Sequence, residues 1–76
     1  MVYEKIISII SEQFNIPEVE ISMETSFRKD LDADSIDLVE LIMSLEDEFD
    51  LEVEDEDVED INTVEDAVEY INNILD

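Results

Sequence analysis

One serine in this chain stands where covalent chemistry could be done. Ser35 lies between Asp34 and Ile36, with Asp37 one residue further on. The chain has no His to activate a hydroxyl, so a serine-hydrolase role is excluded. If Asp34 caps a helix, Ser35 falls in its first turn, where the helix dipole and free N–H groups favour a phosphate on the serine oxygen. By residue type alone, the plainer reading is an ordinary first-turn serine, since serines are common at helix starts.

Metal chemistry is the second candidate. Asp30, Asp32 and Asp34 have the one-three-five spacing that opens a calcium-binding EF-hand loop, but the position that needs Gly is Ser35 and the one that needs a bidentate Glu is Leu41. Asp50, Glu52 and Glu54 fail in the same way, with Asp55 and Ile61 at those places. No dedicated metal site is expected, only weak divalent binding to a solvated acidic face.

Composition narrows the function further. The chain has 76 residues, 25 Asp or Glu against three Lys or Arg, and neither Cys nor His, for a net charge of −22. That length encloses one modest core and no two-lobed cleft, so the chain is not expected to be an enzyme. A polyanion of this density is repelled by phosphate backbones and by anionic lipid, which argues against nucleic acid or membrane as partner. Basic protein surfaces are attracted instead. At 45% apolar residues the chain is too hydrophobic for a disordered acidic tail. It has no disulfide framework, no signal-peptide pattern and no bilayer-length apolar run, so the cytoplasm is the expected compartment. Residues 30–76 hold twenty acids and no base, which places the interaction surface in that part.

The elements that must position Ser35 follow from apolar spacing. Tyr3, Ile6, Ile7, Ile10 and Phe14 predict an amphipathic helix over 2–14, closed by Asn15 and Pro17. Residues 15–34 show no sustained period; Ile16, Val19, Ile21, Phe27 and Leu31 are spaced as anchors for an ordered loop with one short helical turn. Asp34 caps a second helix over 35–49, with Leu38, Leu41, Ile42, Leu45 and Phe49 on its core face. Ile36, Val39 and Met43 form a second stripe, an apolar ridge bordered by Asp37, Glu40 and Asp47. A short third helix over 55–60 turns Val58 and Ile61 inward. Thr63 caps a fourth over 64–75, with Asp66 as a weaker stand-in for the Glu of a capping box and Val64, Ala67, Val68, Ile71, Ile74 and Leu75 as its apolar face. Strand signals are absent. The expected fold is an all-α single domain, a small bundle of three main helices plus one short helix.

The run Asp30-Leu31-Asp32-Ala33-Asp34-Ser35-Ile36-Asp37-Leu38-Val39-Glu40-Leu41, with Met43, Leu45-Glu46-Asp47-Glu48-Phe49, Thr63-Val64 and Tyr70-Ile71, closely resembles the acyl carrier proteins of dissociated (type II) fatty acid synthesis. The resemblance extends over essentially the whole chain and includes Thr25-Ser26-Phe27. It implies that Ser35 receives a 4′-phosphopantetheine arm from coenzyme A, whose terminal thiol carries growing acyl chains as thioesters. A protein without cysteine must borrow such a thiol. It further implies docking of partner enzymes at Asp34, Ile36, Asp37, Val39, Glu40, Met43 and Asp47. An acyl pocket is expected between the second helix and the third and fourth, with Leu38, Ile42, Leu45, Val58, Ile61 and Val68 as its lining.

The implied partners are a phosphopantetheinyl transferase (holo-carrier synthase), fatty acid synthesis enzymes with basic docking patches, and acyltransferases; the carrier itself is expected to be a monomer. Alternatives are a carrier for a polyketide or peptide synthase, or an unmodified acidic protein that mimics nucleic acid or binds cations. The acidic LxADS context, the free-standing length and Met1 favour fatty acid synthesis, and the linker remnants expected of a piece of a modular synthase are not visible. The chain departs from the family pattern in having Asp32 where Gly is common and Ile36 where Leu is common. Leu38 stands where a smaller polar residue is frequent, so the pocket mouth is expected to be narrower or more apolar.

Overall fold

The apolar spacings translate directly into helices. A computed structural model describes residues 2–75; Met1 and Asp76, the ends of the expected domain, lie outside the described residues. Helix α1 runs Val2–Phe14, α2 Ser35–Phe49, α3 Asp55–Val58 and α4 Val64–Leu75, with a 3-10 turn at Glu18–Glu20 in the long loop. The third helix is therefore shorter than the sequence predicts: residues 59–60 form a turn. With only Val58 and Ile61 as apolar anchors there is too little buried surface to hold a longer helix.

α1 packs on both α4 and α2, and α3 packs on α2. The shared core contains Ile6, Ile7 and Ile10 of α1, Leu38, Leu41, Ile42 and Leu45 of α2, and Val64, Ala67, Val68 and Ile71 of α4. Phe49 packs partly buried against it. Three expected core positions lie outside: Tyr3, Ile74 and Leu75 are exposed at the helix ends, where the apolar stripe outruns the elements it packs on.

The loop between α1 and α2 is ordered by one fully buried side chain and a set of backbone bonds. Phe27 is 0% exposed, its N–H donates to the Asn62 carbonyl at 3.0 Å, and its carbonyl accepts the Ala33 N–H at 2.8 Å. The Val64 N–H donates to the Thr25 carbonyl, and Ser26 and Thr63 form an isolated antiparallel bridge. Ile21 is buried and Ile16 and Leu31 pack against the core, as expected of anchors. Val19 does not: it is 93% exposed, because the 3-10 turn points it away from the bundle.

With no glycine in the chain, three of the described residues, each carrying a Cβ, adopt the left-handed conformation: Asn15, Asp32 and Asp50, with φ of 55°, 54° and 52°. Asn and Asp tolerate this region best among non-glycine residues. Asn15 and Asp50 end α1 and α2, and Asp32 makes the reversal that delivers the chain to Asp34.

Replacing Asp32 by Gly should change stability by no more than about 1 kcal/mol, because relief of the left-handed strain is offset by a more flexible unfolded chain. Asp32→Val should lose about 1–3 kcal/mol in urea unfolding. A valine variant as stable as the parent would remove the backbone constraint from this turn.

Candidate functional site

Three hydrogen bonds hold the turn that carries Ser35. The Asp37 N–H donates to Asp34 Oδ1 at 2.9 Å, and the Asp34 N–H donates to Asp37 Oδ2 at 3.2 Å, a reciprocal capping box built from two aspartates. From α1, Gln13 Nε2 donates to the Asp37 carbonyl at 2.7 Å. Ser35, the first helical residue, is exposed. Its hydroxyl has no hydrogen-bond partner among the described residues, so it is free to react while its backbone is fixed.

The neighbouring carboxylates are occupied in shaping the chain. Asp30 Oδ2 accepts the Ser26 N–H at 2.7 Å, Asp34 caps α2, and Asp32 makes the left-handed turn. Among the described residues, no three acids converge in a geometry suited to a metal ion.

The second stripe of α2 faces outward. Ile36 is 68% exposed, Val39 49% and Met43 59%, so burial does not account for these apolar side chains. Asp34, Glu40 and Asp47 are exposed and Asp37 half-buried along the same helix, so the candidate docking residues lie together from the start of α2 toward its end.

Beside Ser35 opens a groove of about 400 Å³, lined by Arg28, Ser35, Leu38, Val39, Val58 and Glu59. A smaller cavity of about 120 Å³ follows, lined by Val39, Ile42, Met43, Glu46, Val53 and Val58. Val39 and Val58 line both and thus divide them. Of the expected pocket residues, Leu38, Ile42 and Val58 line these two spaces. Leu45 and Val68 are packed in the core, at 1% and 5% exposure, and Ile61 lines a separate acidic cavity with Asp57 and Tyr70. The groove lies nearer the α2–α3 seam than the sequence predicts, because Val68 of α4 is taken up by the core.

Sequence reasoning missed Gln13, Arg28 and Glu59 here. Arg28 is the single arginine of the chain, seven residues before Ser35, and that rarity was the available signal.

α3, one wall of the groove, is tied to α4 among the described residues by one side-chain bond: the Tyr70 hydroxyl donates to Asp57 Oδ2 at 2.7 Å. That bond, followed by partial burial, raises the Tyr70 phenol above its ordinary value of 10.0. The neutral phenol is favoured in the folded state. Its stabilisation is fully present below pH 10 and is lost as pH rises beyond that, because the unfolded chain ionises first. Tyr70→Phe should cost about 1 kcal/mol and speed amide exchange at Asp57 and Val58, while removing the loss of stability above pH 10 that is due to this phenol. Unchanged exchange across α3 in the Phe variant would show that Tyr70 does not hold the helix.

Comparison with known proteins agrees with this geometry. The family profile described as "Phosphopantetheine attachment site" matches residues 4–71. An acyl carrier protein of Clostridium acetobutylicum is 55% identical over 71 residues, covering 93% of this chain and 92% of the relative. The solved structure of an acyl carrier protein from Enterococcus faecalis, studied for its high thermal stability, superposes with a TM-score of 0.81 at 43% identity, covering 95% of this chain and 91% of that one.

Proposed function

The chain belongs to the acyl carrier protein family, and from that premise we propose that Ser35 is the residue that receives its 4′-phosphopantetheine group. The observation that carries this reading is the exposed, unpartnered Ser35 hydroxyl on a rigid turn at the mouth of the groove. The residues fit the group: an accessible oxygen for the phosphodiester, an apolar wall of Leu38, Val39 and Val58 beside it, and open space along α2. When attached, the arm supplies the terminal thiol that carries fatty acyl chains as thioesters.

This chain's own part is position and field. The Ser35 oxygen bonds to the pantetheine phosphate of coenzyme A as the bond to the nucleotide half breaks. With no His in the chain and no base hydrogen-bonded to Ser35, the transferase must take the hydroxyl proton. The capping box and Gln13 keep the oxygen in one place during that transfer.

The ridge of Ile36, Val39 and Met43, edged by Asp34, Asp37, Glu40 and Asp47, is the docking face for the phosphopantetheinyl transferase, for fatty acid synthesis enzymes and for acyltransferases. Complementary basic patches would be drawn by the acids and would bury the apolar centre. Family membership favours this reading over an unmodified nucleic-acid mimic or cation-binding protein. Among the described residues no helix is long and apolar enough to cross a membrane; the proposed state is a monomeric carrier in the cytoplasm, where coenzyme A and the partner enzymes would meet it.

Intact mass tests the attachment. Treatment with coenzyme A and a phosphopantetheinyl transferase should add one arm to the parent and none to Ser35→Ala, whose fold should be unchanged within about 0.5 kcal/mol. Modification of the alanine variant, or of Ser8, Ser11, Ser22, Ser26 or Ser44 in the parent, would overturn it.

Reversing Glu40 to Lys should slow transfer to several unrelated partner enzymes, mainly through the association rate and less so at high salt, with the helical spectrum preserved. Equal rates at low salt would take α2 out of the interface.

A further inference from the structure

Arg28 is the one cation of the groove that begins at Ser35. Glu59 is its one acid, and Leu38, Val39 and Val58 complete its wall. In a chain with 25 acids an arginine would be expected to sit in an ion pair, yet among the described residues Arg28 has no carboxylate within 4.0 Å. The ion pair that does form is Lys5 with Glu48, at the far end of α2.

Arg28 is also well held. It follows Phe27, which is fully buried and bonded through both its N–H and its carbonyl. Just after it, the Lys29 N–H donates to Ser26 Oγ at 3.2 Å and the Asp30 N–H to the Ser26 carbonyl at 2.9 Å. Arg28 therefore projects from an ordered turn into the lining of the groove that also holds Ser35, with no carboxylate partner among the described residues.

We propose that Arg28 is a positioning residue for the prosthetic arm: its guanidinium receives the phosphodiester formed on Ser35 and turns the root of the arm into the groove between α2 and α3. A diester at Ser35 would otherwise sit beside Asp34, Asp37 and Glu59 with no cation to offset it, and repulsion would drive it outward into solvent. Guanidinium suits the task because its planar fork can donate two hydrogen bonds to one phosphate. Lys29 cannot substitute, since it does not line the groove.

The proposal rests on attachment at Ser35, and the experiment reports the two separately. Because the chain holds one arginine, the Arg28 Nε–Hε signal of the labelled protein is identified without further assignment. Apo and holo forms are compared by nuclear magnetic resonance for the parent, Arg28→Gln, Arg28→Lys and Lys29→Gln, with intact mass verifying the arm in every holo sample. Absence of the mass increase, or its location at another serine, would defeat the Ser35 reading itself.

With the arm on Ser35, the Arg28 Nε–Hε signal of the parent should move on conversion to holo, and move less at high salt. Arg28→Gln should shift the phosphorus resonance of the arm and lose most of the apo-to-holo amide changes at Val58 and Glu59, whereas Arg28→Lys should retain part of them. Lys29→Gln, which removes the same charge next door, should behave as the parent. An Arg28 signal unmoved by attachment, or a Lys29→Gln protein indistinguishable from Arg28→Gln, would overturn the proposal.

Discussion

Self-repulsion is the constraint to which the rest of this structure answers. With 25 acids against three bases, the chain has almost no cations with which to pair its carboxylates. The core accordingly excludes them: its buried members are aliphatic side chains, Phe27 and two alanines, and among the described residues the one buried polar residue is Thr25. Outside the core, acids are paired with backbone N–H groups instead. Asp34 and Asp37 cap α2, Asp66 accepts from Asn62 and Thr63 to cap α4, Glu46 accepts from Val53, and Asp30 from Ser26. Each bond satisfies a donor that helix starts and turns leave open, and gives a carboxylate a partner of positive potential. The acids that crowd the surface thus also define where the chain turns.

The same constraint explains how the chain manages without glycine. Asp and Asn occupy all three left-handed positions found among the described residues, so the reversal before Ser35 is made by a residue that also adds to the acidic face. Asp32 thus adopts, at φ 54°, the left-handed conformation that glycine reaches without a Cβ penalty.

Helix positions and caps were legible in the sequence because they rest on local spacing: residues three and four apart share a face, and Asp34 and Thr63 mark starts whatever the remainder of the chain does. The exposed ridge of Ile36, Val39 and Met43 was legible for the same reason. Placement that depends on distant partners was not. Val19 has the right type for an anchor, but the loop's register is fixed by bonds from Phe27 to Asn62 and from Val64 to Thr25, which no local pattern reveals. Tyr3, Ile74 and Leu75 continue the stripes of their helices with too little packed against them to bury them. Leu45 and Val68 face the interior as read, yet which interior surface is core and which is groove depends on how α3 seats on α2. Arg28 of the long loop and Glu59, just after α3, line Ser35's groove together only through the tertiary packing.

α2 serves both surfaces of the carrier at once. Leu38, Leu41, Ile42 and Leu45 fix it to the core, while Ile36, Val39 and Met43 remain exposed on the face proposed for partners. Val39 belongs to two sets: it is part of the exposed ridge, and with Val58 it divides the groove from the smaller cavity beyond. Its counterpart in that division stands on α3, four residues long and held to α4 by the Tyr70–Asp57 bond. One side of the partition is therefore rigid, the other is held by few contacts and opens at low cost. A protein that docks on the ridge touches the rigid side directly. Val39 and Val58 line the space beside Ser35 together, so the ridge proposed for partners and the wall of that space share one residue of α2.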